Sequence, residues 1–127
     1  MPLRRFAKSE IVLPTKTVFL RKETLQGFVH DEASAFFGGL AGNAGLFSTA
    51  RDVARVYQML LNGGEIDGQR YLSKETCQLF TTETSKISRR GLGFDKPDAD
   101  DPKKGNCAPA APAEVYGHTG FTGTCAW

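Results

Sequence analysis

The chain lacks any apolar stretch approaching the roughly 20 residues that cross a bilayer, so no membrane span is expected in it. Residues 1–20 also lack the compact apolar core of a signal peptide, because Arg4, Arg5, Lys8, Glu10 and Pro14 break them up, and any export signal is expected upstream. Cysteine is scarce. Cys77, Cys107 and Cys125 show no CxxC or CxxH spacing, and their odd number excludes a closed disulfide framework. Cys77 and Cys125 read as small apolar packing residues and Cys107 as a loop residue. With only His30 and His118 to join them, no metal and no other cofactor is expected. An excess of one charge is missing as well: 16 basic against 14 acidic residues leave a formal +2, so no nucleic-acid partner is expected. The basic pairs Arg4-Arg5, Arg89-Arg90 and Lys103-Lys104 read as solvated surface. Three catalytic or nucleotide-binding patterns are absent: G-x-S-x-G, HExxH and the phosphate-binding Gly-Lys-Ser/Thr loop.

What is present suits one soluble globular domain: 127 residues, 40% hydrophobic and 24% charged. Residues 1–29 read as extended surface segments, including the apolar run Thr17-Val18-Phe19-Leu20. Residues 30–37 suit one or two helical turns capped by Asp31. Four glycines in Gly38–Gly45 rule out a regular helix and mark a tight loop. Its spacing Gly39-x-x-Gly42-x-x-Gly45 has no strand before it and no acidic residue in register after it, so a turn explains it better than a nucleotide site. Val53, Val56, Tyr57, Leu60 and Leu61 recur at helical spacing, which predicts a helix from about Ala50 to Asn62, capped by Ser48 or Thr49 and stopped by Gly63-Gly64. A turn at Ile66–Arg70 leads to a second helix, Lys74 to about Phe80, capped by Ser73. Gly91-Leu92-Gly93-Phe94 reads as a short strand, and residues 95–113, rich in Pro, Asp, Lys, Ala and Gly, as a mobile loop.

Most catalytic candidates have simpler explanations. His30 beside Asp31 and Glu32 offers acid–base groups, but a histidine near a helix start accounts for it. Ser48 is explained by capping, and Arg51, three residues on, stays protonated and cannot serve as its base. The closing run Tyr116-Gly117-His118-Thr119-Gly120-Phe121-Thr122-Gly123-Thr124-Cys125-Ala126-Trp127 differs. A basic group, a hydroxyl and a glycine at consecutive positions suit an active-site edge strand facing an anionic substrate. The run stops at Trp127 without a charged tail or turn, and we expect the chain to end inside a folded domain.

Two blocks together resemble the serine β-lactamase and penicillin-binding-protein superfamily, specifically the β-lactamase-related serine hydrolases that include class C enzymes and esterase-like members. One block is Gly42-Asn43-Ala44-Gly45-Leu46-Phe47-Ser48-Thr49-Ala50-Arg51-Asp52-Val53-Ala54-Arg55, continuing through Met59–Gly64; the other is Gly117–Thr124. The likeness covers residues 27–127. It implies an α+β fold, part of a β-lactamase/transpeptidase-like domain with helices packed on an incomplete antiparallel sheet, and residues 1–127 as a fragment of that one domain. It also implies that His118 and Thr119 bind a substrate carboxylate while Gly120 keeps the strand face open. Backbone N–H groups of Phe121 or Thr122 would then lie on the oxyanion side. A periplasmic or cell-envelope location is implied too.

The departures concern the nucleophile. The family's Ser-x-x-Lys pair is absent: three residues after Ser9, Ser34, Ser48, Ser73, Ser85 and Ser88 stand Val12, Phe37, Arg51, Thr76, Ser88 and Gly91. No Tyr-x-Asn or Ser-x-Asn occurs, and Asn43 stands where similar proteins often carry histidine. The expected function is therefore a fragment of a serine hydrolase acting by acyl transfer on a β-lactam, D-alanyl peptide or ester, inactive alone, with a small-molecule or peptide acyl substrate in the parent. The alternatives are a non-catalytic binding module on the same scaffold and a part that completes its site with another chain. The terminal strand is expected to favour self-association.

Overall fold

The computed structural model describes residues 21–82, 85–98, 100–101 and 105–127. The expectations for residues 1–20, including the Thr17–Leu20 run, fall outside them. The chain divides into two compact units, residues 1–48 and 49–127.

In the first unit, α1 (Glu32–Phe36) is short because its cap and its stop lie close together. The Asp31 carboxylate accepts from the Ser34 N–H at 2.7 Å, as an N-cap should. After Phe37, Gly38 and Gly39 turn the chain through positive φ. The loop that follows folds back on itself, with a bridge between Ala41 and Ala44. Leu25 and Val29 supply the buried apolar contacts. The Arg21 guanidinium ties this segment together, donating to the carbonyls of Val29 (3.0 Å) and His30 (2.7 Å) and pairing with Glu32 (2.9 Å).

The second unit opens with α2 (Ala50–Leu61), whose N-cap is Thr49: its hydroxyl accepts from the Asp52 N–H and donates to the Asp52 carboxylate. Gly64 ends the helix at φ +93, and a Cβ there would lie 2.2 Å from the Leu72 carbonyl oxygen, so only glycine fits. A two-residue turn, Asp67-Gly68, both at positive φ, joins β1 (Glu65–Ile66) to β2 (Gln69–Arg70) with Glu65 opposite Arg70. Ser73 caps α3 (Lys74–Thr81), accepting from the Thr76 N–H. The last pair is β3 (His118–Thr119) against β4 (Cys125–Ala126), antiparallel.

Among the described residues the architecture is thus three helices with short antiparallel ladders. Among the described residues the four strands form two separate two-stranded ladders. The strand expected at Gly91–Phe94 is not one. The Gly91 N–H donates to the Phe94 carbonyl at 3.0 Å, which spends ladder groups within the segment, and only Asp95 bridges to Gly117. Cys77 packs inside as expected, but Cys125 is exposed, because side chains alternate along β4 and Ala126 takes the inward position.

The apolar stripe of α2 is only partly covered: Val53, Tyr57 and Leu60 are half-buried while Val56 and Leu61 face water. Its main packing is aromatic. Tyr57 meets Phe94 edge-on at 5.9 Å and stacks on Tyr116 at 6.2 Å, and Phe94 and Tyr116 are 5.1 Å apart. The Tyr57 hydroxyl donates to the Ala126 carbonyl at 3.2 Å. This cluster fixes α2, the Phe94 segment and the β3–β4 hairpin against one another.

Candidate functional site

One glycine-dependent approach and one buried carboxylate set the position of β3. Gly91 lies so close to the end of α3 that a Cβ would sit 2.6 Å from the Phe80 carbonyl oxygen and 2.8 Å from that of Thr82. Nearby, the buried Lys96 ammonium donates to the Thr81 carbonyl at 3.1 Å, placing a cation at the C-terminus of α3. Asp95 then exchanges both backbone hydrogen bonds with Gly117, at 2.8 and 3.0 Å, which places the residue before His118.

The Asp95 side chain is 1% exposed. Arg89 meets it as a fork, Nε to Oδ1 at 2.8 Å and Nη2 to Oδ2 at 3.0 Å, and Asn106 and the Lys96 N–H complete its shell. Burial alone would push the carboxyl pKa up, but the Arg89, Asn106 and Lys96 hydrogen bonds outweigh it and hold the pKa below the ordinary value. Arg89 is therefore not the solvated surface residue its sequence context suggests. It neutralises a buried charge.

Beyond Gly117 the hairpin is exposed. His118 pairs with Ala126 and Thr119 with Cys125 across the ladder. The turn closes through Gly120 N–H to the Thr124 carbonyl (2.6 Å) and Gly123 N–H to that of Gly120 (3.0 Å). A Cβ at Gly120 would lie 2.5 Å from the Thr124 hydroxyl oxygen, so a side chain there would force the Thr124 hydroxyl to turn away. Phe121 and Thr122 occupy the exposed tip, Phe121 at 89% exposure. The structure thus places His118 and Thr119 on one solvent-facing strand, with Gly120 opening the turn and Phe121 and Thr122 directly after it.

His118 has two close partners. Its Nδ1 lies 2.6 Å from the Thr119 carbonyl, and its Nε2 lies 2.9 Å from Arg90 Nη1. Sequence reasoning missed Arg90, Asp95 and Asn106. The available signal was the opposite charges of Arg89 and Asp95 flanking the glycine-rich Gly91–Phe94, six residues apart. Behind the strand, burial pushes the Tyr57 and Tyr116 phenols above the usual tyrosine pKa. The Tyr116 hydroxyl is buried with no hydrogen-bond partner among the described residues.

The residues that had simpler readings keep them. Asp31 and Asn43 join through a 3.1 Å hydrogen bond in the first unit, and the fully buried Ser34 hydroxyl donates to Asn43, so this polar trio braces a loop. Ser48 is exposed, and Thr49 rather than Ser48 caps α2. No cluster of three His, Cys, Asp or Glu suited to a metal ion occurs among the described residues, and no helix there is long and apolar enough to cross a membrane.

A protein of Escherichia coli K12 named as a D-alanyl-D-alanine carboxypeptidase is 38% identical over 106 residues, covering 83% of this chain. One from Salmonella typhi with the same name is 36% identical over 106 residues. An N-acetylmuramyl-L-alanine amidase of Bacillus subtilis is 38% identical over 107 residues. In each case the chain spans 24% of the relative's length. No solved structure matches. The beta-lactamase family profile matches residues 9–127, which takes in α1–α3, the Arg89–Asp95 pair and the whole β3–β4 hairpin, and the chain belongs to the beta-lactamase family.

Proposed function

We propose that this chain is one part of a β-lactamase/transpeptidase-like serine hydrolase, and that it supplies the strand wall against which an acyl substrate lies. The observation that carries the reading is the placement of His118 and Thr119 on an exposed strand, with Gly120 opening its turn, beside the Asp95 bridge and the aromatic cluster. The parent reaction would be acyl transfer from an amide or ester: a β-lactam, a D-alanyl peptide or a simple ester. The names of the relatives, two carboxypeptidases and one amidase, favour a cell-wall peptide. In that reaction a serine oxygen bonds to the substrate carbonyl carbon, the amine or alcohol leaves with a proton, and water later releases the acid. Thr119 would donate its hydroxyl to the substrate carboxylate. By the family resemblance, a backbone N–H of Phe121 or Thr122 would lie on the oxyanion side.

The serine–lysine pair that this chemistry needs is absent from the sequence, so the chain alone is inactive. We expect the purified chain to give no serine-dependent turnover of nitrocefin or p-nitrophenyl acetate, and turnover abolished by a serine-directed inhibitor would overturn that expectation. The wall is tested separately with N-acetyl-D-alanyl-D-alanine as probe. Amide shifts at His118–Thr122 that saturate, and that are lost in Thr119→Val, support the reading; their absence at millimolar probe sinks it.

Association is part of the proposal. Phe36, Phe37, Leu46, Ile87 and Phe121 are each more than 75% exposed, and β3 and β4 pair only with each other among the described residues. Sedimentation should show mass rising with concentration, and a concentration-independent monomer would exclude association.

A further inference from the structure

We propose that Arg90 is a positioning residue: it holds His118 as the Nδ1–H tautomer and leaves the guanidinium, not the imidazole, as the charge of this wall. The inference rests on the reading above only for what the wall faces. Its core is hydrogen-bond polarity. A guanidinium has five N–H donors and no acceptor, so the 2.9 Å contact from Arg90 Nη1 requires a lone pair on His118 Nε2. A carbonyl oxygen only accepts, so the 2.6 Å contact to the Thr119 carbonyl requires the proton on Nδ1. Two independent contacts demand the same tautomer. Both ring nitrogens are then occupied, and the imidazole has no donor left for a substrate carboxylate.

Arg90 itself is not consumed. Its Nη2 lies 3.9 Å from Asp95 Oδ2, beyond hydrogen-bond reach, because Arg89, Asn106 and the Lys96 N–H already fill that carboxylate. Its side chain remains 47% exposed. The consecutive arginines therefore divide the work. Arg89 neutralises the buried carboxylate and fixes the chain, while Arg90, the next residue along, is delivered to the exposed histidine by the Asp95–Gly117 bridge. An arginine stays protonated across the whole working pH range, so the charge it places beside Thr119 does not depend on imidazole titration.

Nitrogen-15 correlation spectra of the His118 ring in the 127-residue chain, at alkaline pH where free imidazole is neutral, test the pairing without any substrate. The expected spectrum shows Nδ1 protonated and Nε2 bare, retained in Arg90→Lys, which can still donate. In Arg90→Met the ratio of Nδ1–H to Nε2–H should fall roughly tenfold, the loss of one charge-assisted hydrogen bond. An Nε2–H tautomer in the wild-type chain overturns the proposal, and so does an unchanged ratio in Arg90→Met. The wild-type spectrum decides by itself, so the test survives a variant that misfolds. If the tautomer is as expected but N-acetyl-D-alanyl-D-alanine does not bind, the pairing stands and the functional reading falls.

Discussion

Asp31 in the first unit and Asp95 in the second each gather hydrogen bonds from distant positions in the sequence, yet only Asp95 is sealed from water. Asp31 is satisfied by neutral donors, the Ser34 N–H and the Asn43 amide, and these hold its pKa below the ordinary carboxylate value. Water can replace either donor. Asp95 has lost its water, and the Arg89 fork supplies the opposite charge that burial demands. The difference teaches where this chain can tolerate change. An open cap survives with neutral partners, while a closed carboxylate depends on a cation in direct contact.

The comparison breaks most visibly at Arg89. Arg89→Met should cost about 3 kcal/mol in urea melts, because Asp95 is left buried without its bidentate cation, Arg90 standing 3.9 Å away. Replacing Asp95 by Asn in the same molecule should recover part of that loss; a loss under about 1 kcal/mol in the single variant would mean that water enters the site freely. The next effect is acid sensitivity. The folded pKa of Asp95 lies below its ordinary value of 3.8, so its stabilisation is complete above that value and is lost as pH falls from there through the lowered folded pKa. Asp95→Asn should therefore flatten the acid limb of the stability curve below about pH 4, and an unchanged limb would assign the acid response to other carboxylates. The smallest effect belongs to the open cap. Asn43→Ala should cost less than half of what Arg89→Met costs, and an equal loss would show the two carboxylates to be alike after all.

Much of the backbone was legible because its signals are local. Asp31, Thr49 and Ser73 announced the three helix starts through their own side chains, and Gly63-Gly64 announced a stop. The Gly91–Phe94 strand misled because period-two apolarity was present while its hydrogen-bonding groups were spent within the segment. The candidate wall was legible as a composition, basic group, hydroxyl and glycine in a row. Its support was not, since Arg90 lies 28 residues before His118 and Asn106 lies 11 after Asp95.

The sequence by itself determined where helices begin and where the chain must turn, because caps and glycines act within a few residues. Only the tertiary structure decided which arginine neutralises Asp95 and which one meets His118. Those outcomes depend on burial and on donor–acceptor polarity between segments far apart in the chain, and neither is written at any single position.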